Sequence, residues 1–504
     1  MTLKNKRIMI QGTASTVGKS IICTALCRIF TEDGYVVNPF KSQNMSLNSG
    51  ITPDGLEMGR AQVMQAEAAR RIPSARMNPI LLKPTSDRKS QVILNGKVYQ
   101  DLDAVDYFAF KPQLVTEIKR IFDQLAAESD IVVIEGAGSP AEINLNRDDF
   151  VNMGMAAIAD APVLLVGDID KGGVFAALYG TVMLLNEEER ARVKGIIINK
   201  FRGSYELLEP GLKMLEERLD IPVLGVIPYF ELNIEDEDSV TEWGKFSNSG
   251  EADLDIAVIK LPYMSNFTDF NPFRLYEDVR LRFVDSTDKL GRPDLVILPG
   301  SKSSIADLRY LRDTGMADQI IASYKLGSYI FGICGGYQMM GMEIVDRQAV
   351  ESVFEKAEGL RLLETETEFE FQAEKTTTVC EGRDRLFQDA LRGYEIHMGE
   401  TRPLRADYQP FAMITKRNRN AITISDGAIS PDRRCCGTYI HGIFDNTGFT
   451  RDFLNMIRAD KSLPPVTCYP EDYRKYKERQ YDELAKLVRQ HLDLQKIYEI
   501  IGEV

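Results

Sequence analysis

Nine residues near the start of the chain, Gly12-Thr13-Ala14-Ser15-Thr16-Val17-Gly18-Lys19-Ser20, restrict its fold more than any other stretch. They follow a short apolar run, Arg7-Ile8-Met9-Ile10-Gln11, and precede a helical one, Ile21 to Cys27. This is a P-loop in its expected strand–loop–helix setting, where successive backbone N–H groups and the helix start wrap phosphate oxygens. Gly12, Thr13, Val17 and Gly18 shape the cradle, Lys19 adds a point charge, and the Ser20 hydroxyl can hold Mg2+. Five residues, one more than the usual four, separate Gly12 from Gly18.

The strands that must accompany such a loop are legible downstream. Ile131-Val132-Val133-Ile134-Glu135 is an apolar, β-branched run ending in a carboxylate and then glycines. That is the pattern of a buried parallel strand whose last residue faces the phosphate site. Glu135 is therefore a second candidate for Mg2+, directly or through water. Val163 to Asp168, Gly195 to Lys200 and Pro222 to Pro228 repeat the pattern, so a doubly wound parallel sheet is expected. Asn199 at a strand end can either read an adenine edge or cap a helix. Lys41, after the Tyr35-Val36-Val37 strand, either faces the phosphates or is solvated surface.

At 504 residues the chain exceeds a single core, and about two to four domains are expected. A net charge of −14 argues against a nucleic-acid backbone as partner. No apolar run reaches the roughly 18 residues of a membrane span, and the N-terminus shows no signal-peptide pattern. Seven scattered cysteines without zinc spacing suit a reducing cytoplasm. The polar, acidic stretch 235–252 is expected to be a linker after a nucleotide domain at 1–234. A second α/β domain at 253–449 and a helical extension at 450–504 would follow.

The second domain centres on Tyr329-Ile330-Phe331-Gly332-Ile333-Cys334-Gly335-Gly336-Tyr337-Gln338. A strand runs into Gly-x-Cys-x-Gly and then a helix, a nucleophile elbow with Cys in place of Ser. Small neighbours are needed because the nucleophile's own backbone is strained, and the helix start favours a thiolate. Of the three histidines, His441 in Gly437-Thr438-Tyr439-Ile440-His441-Gly442 is the preferred base, with space beside Gly442. His397 reads as a buried structural residue and His491 as surface. The Pro299-Gly300-Ser301 loop and the Gly335 N–H are placed to receive an oxyanion.

These stretches together resemble the cobyric acid synthase family closely, over nearly the whole chain. The likeness lies in Gly12–Ser20, Pro39–Asn44, Asn78–Pro84, Glu135–Leu145, Val166–Gly173, Pro299–Ser303, Gly332–Gln338, Gly393–Thr401 and Thr438–Phe444. It implies a dethiobiotin-synthetase-like ATP domain followed by a class I glutamine amidotransferase domain. Glutamine would be hydrolysed at Cys334, with ATP and Mg2+ (on Ser20 and Glu135) activating a carboxylate. The substrate implied is adenosylcobyrinic acid a,c-diamide, amidated at its b, d, e and g propionates. Because water would hydrolyse an acyl phosphate, a protected interdomain path for ammonia is expected. Related glutaminases carry an acidic residue two positions after the histidine. Here that position is Ile443, so the resemblance implies a Cys334–His441 dyad and leaves open what orients the imidazole. The alternatives are cobyrinic acid a,c-diamide synthase, another ATP-dependent amide synthetase, and a P-loop ATPase that works by binding partners. Nothing in the residues fixes an oligomeric state.

Overall fold

The computed structural model describes residues 5–85, 89–145, 149–232, 252–351, 354–369 and 375–502. All of the expected linker at 235–252 except Ala252 falls outside the described residues. The chain divides into two compact units. The first comprises Met1–Ser46, Met58–Glu237 and Lys477–Val504, the second Leu47–Glu57 and Asp238–Tyr476.

The first unit is built on six strands: β1 (Lys6–Gly12), β2 (Val37–Phe40), β3 (Ile131–Glu135), β4 (Val163–Asp168), β5 (Val193–Phe201) and β6 (Val223–Pro228). Their order across the sheet is β6-β5-β4-β1-β3-β2, and every pairing is parallel. Strands covered on both faces should be apolar throughout, and β3 is buried at every position. One face packs on helix Lys19–Glu32 and on Tyr481, Leu484, Ala485 and Val488 of the C-terminal helix. The other packs on Ile118, Phe122, Leu178, Leu212 and Leu215. The sequence from Lys477 onward thus completes the nucleotide unit's core. It also covers Arg28, whose fully buried guanidinium pairs with Glu478 and Asp482 and lies over the Tyr481 ring.

The second unit repeats the architecture with β7 (Leu254–Ile259), β8 (Val279–Val284), β9 (Leu295–Leu298), β10 (Tyr329–Ile333), β11 (Ala428–Ile429) and β12 (Cys435–Thr438). The order is β8-β7-β9-β10-β12-β11, parallel except for the β11–β12 edge pair. A four-stranded antiparallel sheet, from Thr376–Asp384 through Asn420–Asp426, is attached to it. The P-loop, Lys41, Glu135 and Asn199 in the first unit, and Gly300, Cys334 and His441 in the second, stand at or just beyond the carboxyl ends of the parallel strands, where ligands bind in open α/β sheets.

Candidate active sites

In the first unit β1 feeds the P-loop, whose Gly18 has φ 102° and leads into helix Lys19–Glu32. A side chain there is excluded twice, since a Cβ on Gly18 would also lie 2.2 Å from Asn199 Nδ2. Lys19 Nζ donates to the carbonyls of Ala14 (2.9 Å) and Gly138 (3.1 Å), so it is folded back over the loop. Glu135 is the hub. Its Oε1 accepts from Ser20 Oγ at 2.9 Å and from Lys41 Nζ at 2.6 Å, and its Oε2 from the Gln65 amide at 2.5 Å. Burial alone would raise this carboxyl. The Lys41 charge, the Gln65 hydrogen bond and the Lys19 charge instead hold it below the ordinary carboxylate range.

Asn199 donates from Nδ2 to the Val17 carbonyl at 2.8 Å, and its buried Oδ1 has no partner. Gly12, Thr13, Val17, Gly18, Lys19, Ser20, Lys41, Glu135 and Asn199 therefore gather around one loop. Among the described residues no group of three or more His, Cys, Asp or Glu side chains could hold a metal ion. Ser20 and Glu135 instead offer two hard oxygens side by side. A divalent cation that keeps most of its waters fits such a pair.

In the second unit Cys334 sits at the end of β10 with φ 52° and ψ −110°, a conformation unfavourable for any residue with a Cβ. Its N–H donates to Thr438 O at 2.8 Å and its carbonyl accepts from Gln338 N–H, which pins the turn from both sides. The two flanking glycines are forced by contact. A Cβ on Gly336 would lie 2.0 Å from Leu298 O, and one on Gly332 would lie 2.5 Å from Met340 Sδ. Gly335 packs on Gly300–Ser301, which is not a free loop but a two-residue strand paired antiparallel with Met264–Ser265, and a Cβ there would lie 2.9 Å from Ser301 N. The Ser301 hydroxyl is committed to Asp307 at 2.6 Å.

His441 is fully buried, just beyond β12. Its Nδ1 is 2.7 Å from Asp269 Oδ2, and the other Asp269 oxygen accepts from Gly442 N–H at 2.9 Å. Asp269 lies in the 3-10 segment Phe267–Leu275 that follows β7, and is itself buried. Burial pushes the imidazole down, but the Asp269 charge and hydrogen bond, helped by Cys334, outweigh it and raise His441 to about 10. His397 behaves oppositely. Burial lowers it to about 3, its Nδ1 bonds the Gly399 carbonyl, and its ring stacks on Tyr439. It is a neutral packing residue.

Asp269 is the site residue that sequence reasoning missed. Nothing in its spacing marks it; the only signal is an acidic residue soon after a parallel strand whose carboxyl end faces the elbow. Asp54, a further Mg2+ candidate on sequence grounds, belongs to the second unit and accepts from the Thr52 hydroxyl at 2.6 Å.

Comparison with known proteins agrees with this two-site organisation. A family model described as the CobQ/CobB/MinD/ParA nucleotide binding domain matches residues 8–239, and one described as the CobB/CobQ-like glutamine amidotransferase domain matches residues 255–449. The chain is 58% identical to a cobyric acid synthase of Clostridium novyi (strain NT), over 99% of each chain. It is 54% identical to that of Thermoanaerobacter sp. (strain X514), over 98% of each. With that of Alkaliphilus metalliredigens (strain QYMF) it shares 52% identity, over 98% of this chain and 99% of the relative. With a P-loop site in one unit, a cysteine elbow in the other and relatives matched end to end, the chain belongs to the cobyric acid synthase family.

Proposed function

We propose that the chain hydrolyses glutamine at a Cys334–His441–Asp269 site and spends the ammonia on carboxylates of adenosylcobyrinic acid a,c-diamide, activated by ATP. The family makes it an ATP-dependent ligase with glutamine as nitrogen donor and a corrinoid as acceptor. The observation that carries the residue assignment is the strained Cys334 elbow with a buried His441–Asp269 pair beside it.

Cys334 Sγ attacks the side-chain amide carbon of glutamine, with its proton on His441. The tetrahedral oxyanion is received by the Gly335 N–H and the Gly300–Ser301 strand. His441 Nε2 then gives its proton to the leaving nitrogen, and ammonia departs. Asp269 fixes the tautomer and balances the imidazolium charge, the part a carboxylate plays in a hydrolase triad. The thioester is hydrolysed by water to glutamate.

In the first unit the P-loop N–H groups and Lys19 hold the ATP phosphates as a carboxylate of the corrinoid attacks the γ-phosphoryl group, the bond to the β-phosphate oxygen breaks and ADP leaves. Ammonia displaces phosphate from the resulting acyl phosphate to give the amide. Ser20 and Glu135 are the residues that would hold Mg2+, which neutralises phosphate charge when bound. Lys41, released from Glu135, adds charge at the same place. The unpartnered Oδ1 of Asn199 is the acceptor left for the adenine amino group.

The four carboxylates are proposed to be the b, d, e and g propionates. A cytoplasmic location suits the seven free thiols. The described residues include no helix long and apolar enough to cross a membrane.

Mass spectrometry of the corrinoid after incubation with ATP, Mg2+ and either glutamine or ammonium tests the reading. Four successive OH-to-NH2 replacements are expected, with Cys334→Ala active on ammonium alone. No mass change on either nitrogen donor would sink the corrinoid assignment.

A further inference from the structure

Ser301 belongs to a strand of only two residues, Gly300–Ser301. It forms a sheet with Met264–Ser265 alone, Met264 standing opposite Ser301 and Ser265 opposite Gly300. An isolated strand pair is marginally stable in water even when longer than this. Its placement is nevertheless exact. A Cβ on Gly300 would lie 3.0 Å from His441 Cε1, and one on Gly335 would lie 2.9 Å from Ser301 N. The strand therefore runs in contact with the base on one side and the cysteine elbow on the other. A ladder of two residues does not hold such a position by itself.

Asp307 supplies the missing restraint. It is fully buried in the first turn of helix Ser304–Asp313, whose Ile305, Leu308 and Leu311 are anchored in the hydrophobic core. Its Oδ2 accepts from the Ser301 hydroxyl at 2.6 Å, and its Oδ1 accepts from Tyr263 N–H at 3.1 Å. Ser301 Oγ accepts in turn from Ser303 N–H at 3.0 Å. Tyr263 immediately precedes the Met264–Ser265 strand, and its carbonyl accepts from Lys302 N–H at 2.9 Å. One side chain thus ties both strands of the pair to a helix that the core holds still. Burial pushes the Asp307 carboxyl up to about 7, opposed by the hydrogen bonds from Ser301 and Tyr263. A desolvated acid with an oxygen on each strand serves their placement.

We infer that Asp307 is a positioning residue for glutamine hydrolysis, holding the Gly300–Ser301 strand at the distance from Cys334 and His441 at which it receives the tetrahedral oxyanion. Without Asp307 the strand drifts from the elbow while Cys334, His441 and Asp269 keep their places. The oxyanion then loses part of its stabilisation, and the thiol keeps its reactivity. This inference rests on the glutamine hydrolysis proposed above.

The test compares glutamate release by the full chain in wild type, Asp307→Ala, Ser301→Ala and the double variant. Misplacement of a catalytic group by about 1 Å costs about 10^2 in rate, so Asp307→Ala should lower kcat about 10^2-fold. KM should stay within about threefold of wild type, because the oxyanion exists only after binding. Ser301→Ala cuts the same tie from the strand side. The double variant should therefore fall no more than about threefold below the weaker single variant. Asp307→Asn keeps an acceptor for Tyr263 N–H and a donor for Ser301 Oγ, and should recover turnover to within about fivefold of wild type. Alkylation of Cys334 by iodoacetamide, read by peptide mass spectrometry, passes through no oxyanion. Its rate should stay within about twofold of wild type in every variant, which general loosening of the site would not allow. Turnover close to wild type in both alanine variants, losses that multiply in the double variant, or alkylation that falls with turnover would each overturn the inference. If Asp307→Ala does not fold, Ser301→Ala decides by the same turnover and alkylation criteria. A wild type that releases no glutamate overturns the proposed function instead.

Discussion

The Asp269 carboxylate stands 2.7 Å from Nδ1 of His441 although 172 residues separate the two in the chain. The expected carboxylate two positions after the histidine is replaced by Ile443, which is buried in the hydrophobic core. The acid beside the imidazole comes instead from the 3-10 segment Phe267–Leu275.

Asp269→Asn keeps size and one acceptor but removes the charge that balances the imidazolium. Loss of a triad aspartate in a serine protease costs about 10^4 in kcat. A fall of about 10^2 to 10^4 in glutamine-dependent turnover is expected here, with ammonium-dependent amidation unchanged. Steady-state glutamate release, set beside amide formation from ammonium, checks it.

The Cys334 backbone stores strain that glycine would not. A residue with a Cβ in a sparsely populated conformation costs about 1–3 kcal/mol. Cys334→Gly should therefore stabilise the second unit by about 1 kcal/mol or more while abolishing glutamine hydrolysis. Gly336→Ala should destabilise it by more than about 2 kcal/mol, because its Cβ meets backbone at Leu298. Urea unfolding of the three proteins gives both values.

His441 titrates near 10 in the folded protein against an ordinary value of 6.5. A raised pKa means the folded state binds the proton more tightly than the unfolded chain. Its stabilising contribution is complete below about pH 6.5 and is lost as pH rises through 10. The difference in melting temperature between wild type and His441→Gln should shrink steadily across that window. Scanning calorimetry from pH 6 upward, in steps of about one unit, measures it.

In the nucleotide site Lys41 and Glu135 form a buried ion pair, and removing Lys41 takes away the largest charge that holds the Glu135 carboxylate ionised. Lys41→Met is expected to cost about 3–5 kcal/mol. The double variant Lys41→Met/Glu135→Gln should recover most of that stability yet remain without ATP-dependent activity. A double-mutant cycle by denaturant unfolding isolates the pair.

The local features of both sites are legible in the chain. Strand β3 reads as a two-sided strand because its apolar run is uninterrupted, and the P-loop and cysteine elbow read as turns because glycines stand where a side chain would strike backbone or Asn199. Cys334, His441, Lys19, Ser20 and Glu135 all lie at the ends of such runs. The membership of 477–504 in the first unit's core is not readable. An amphipathic helix presents the same apolar stripe to whichever surface is available.

What the sequence by itself determined is local: the apolar runs of the central parallel strands, the glycine-rich loop at Gly12–Ser20 and the Gly332–Gly336 turn around Cys334. These depend on backbone sterics and on the local alternation of burial. Only the tertiary structure decided that Asp269 lies against His441, that Ser49 reaches Asn266, and that Glu135 gathers Ser20, Lys41 and Gln65. A buried charge or amide needs a partner, but any element brought near can supply it. The identity of that partner is a property of the packing, and no spacing along the chain encodes it.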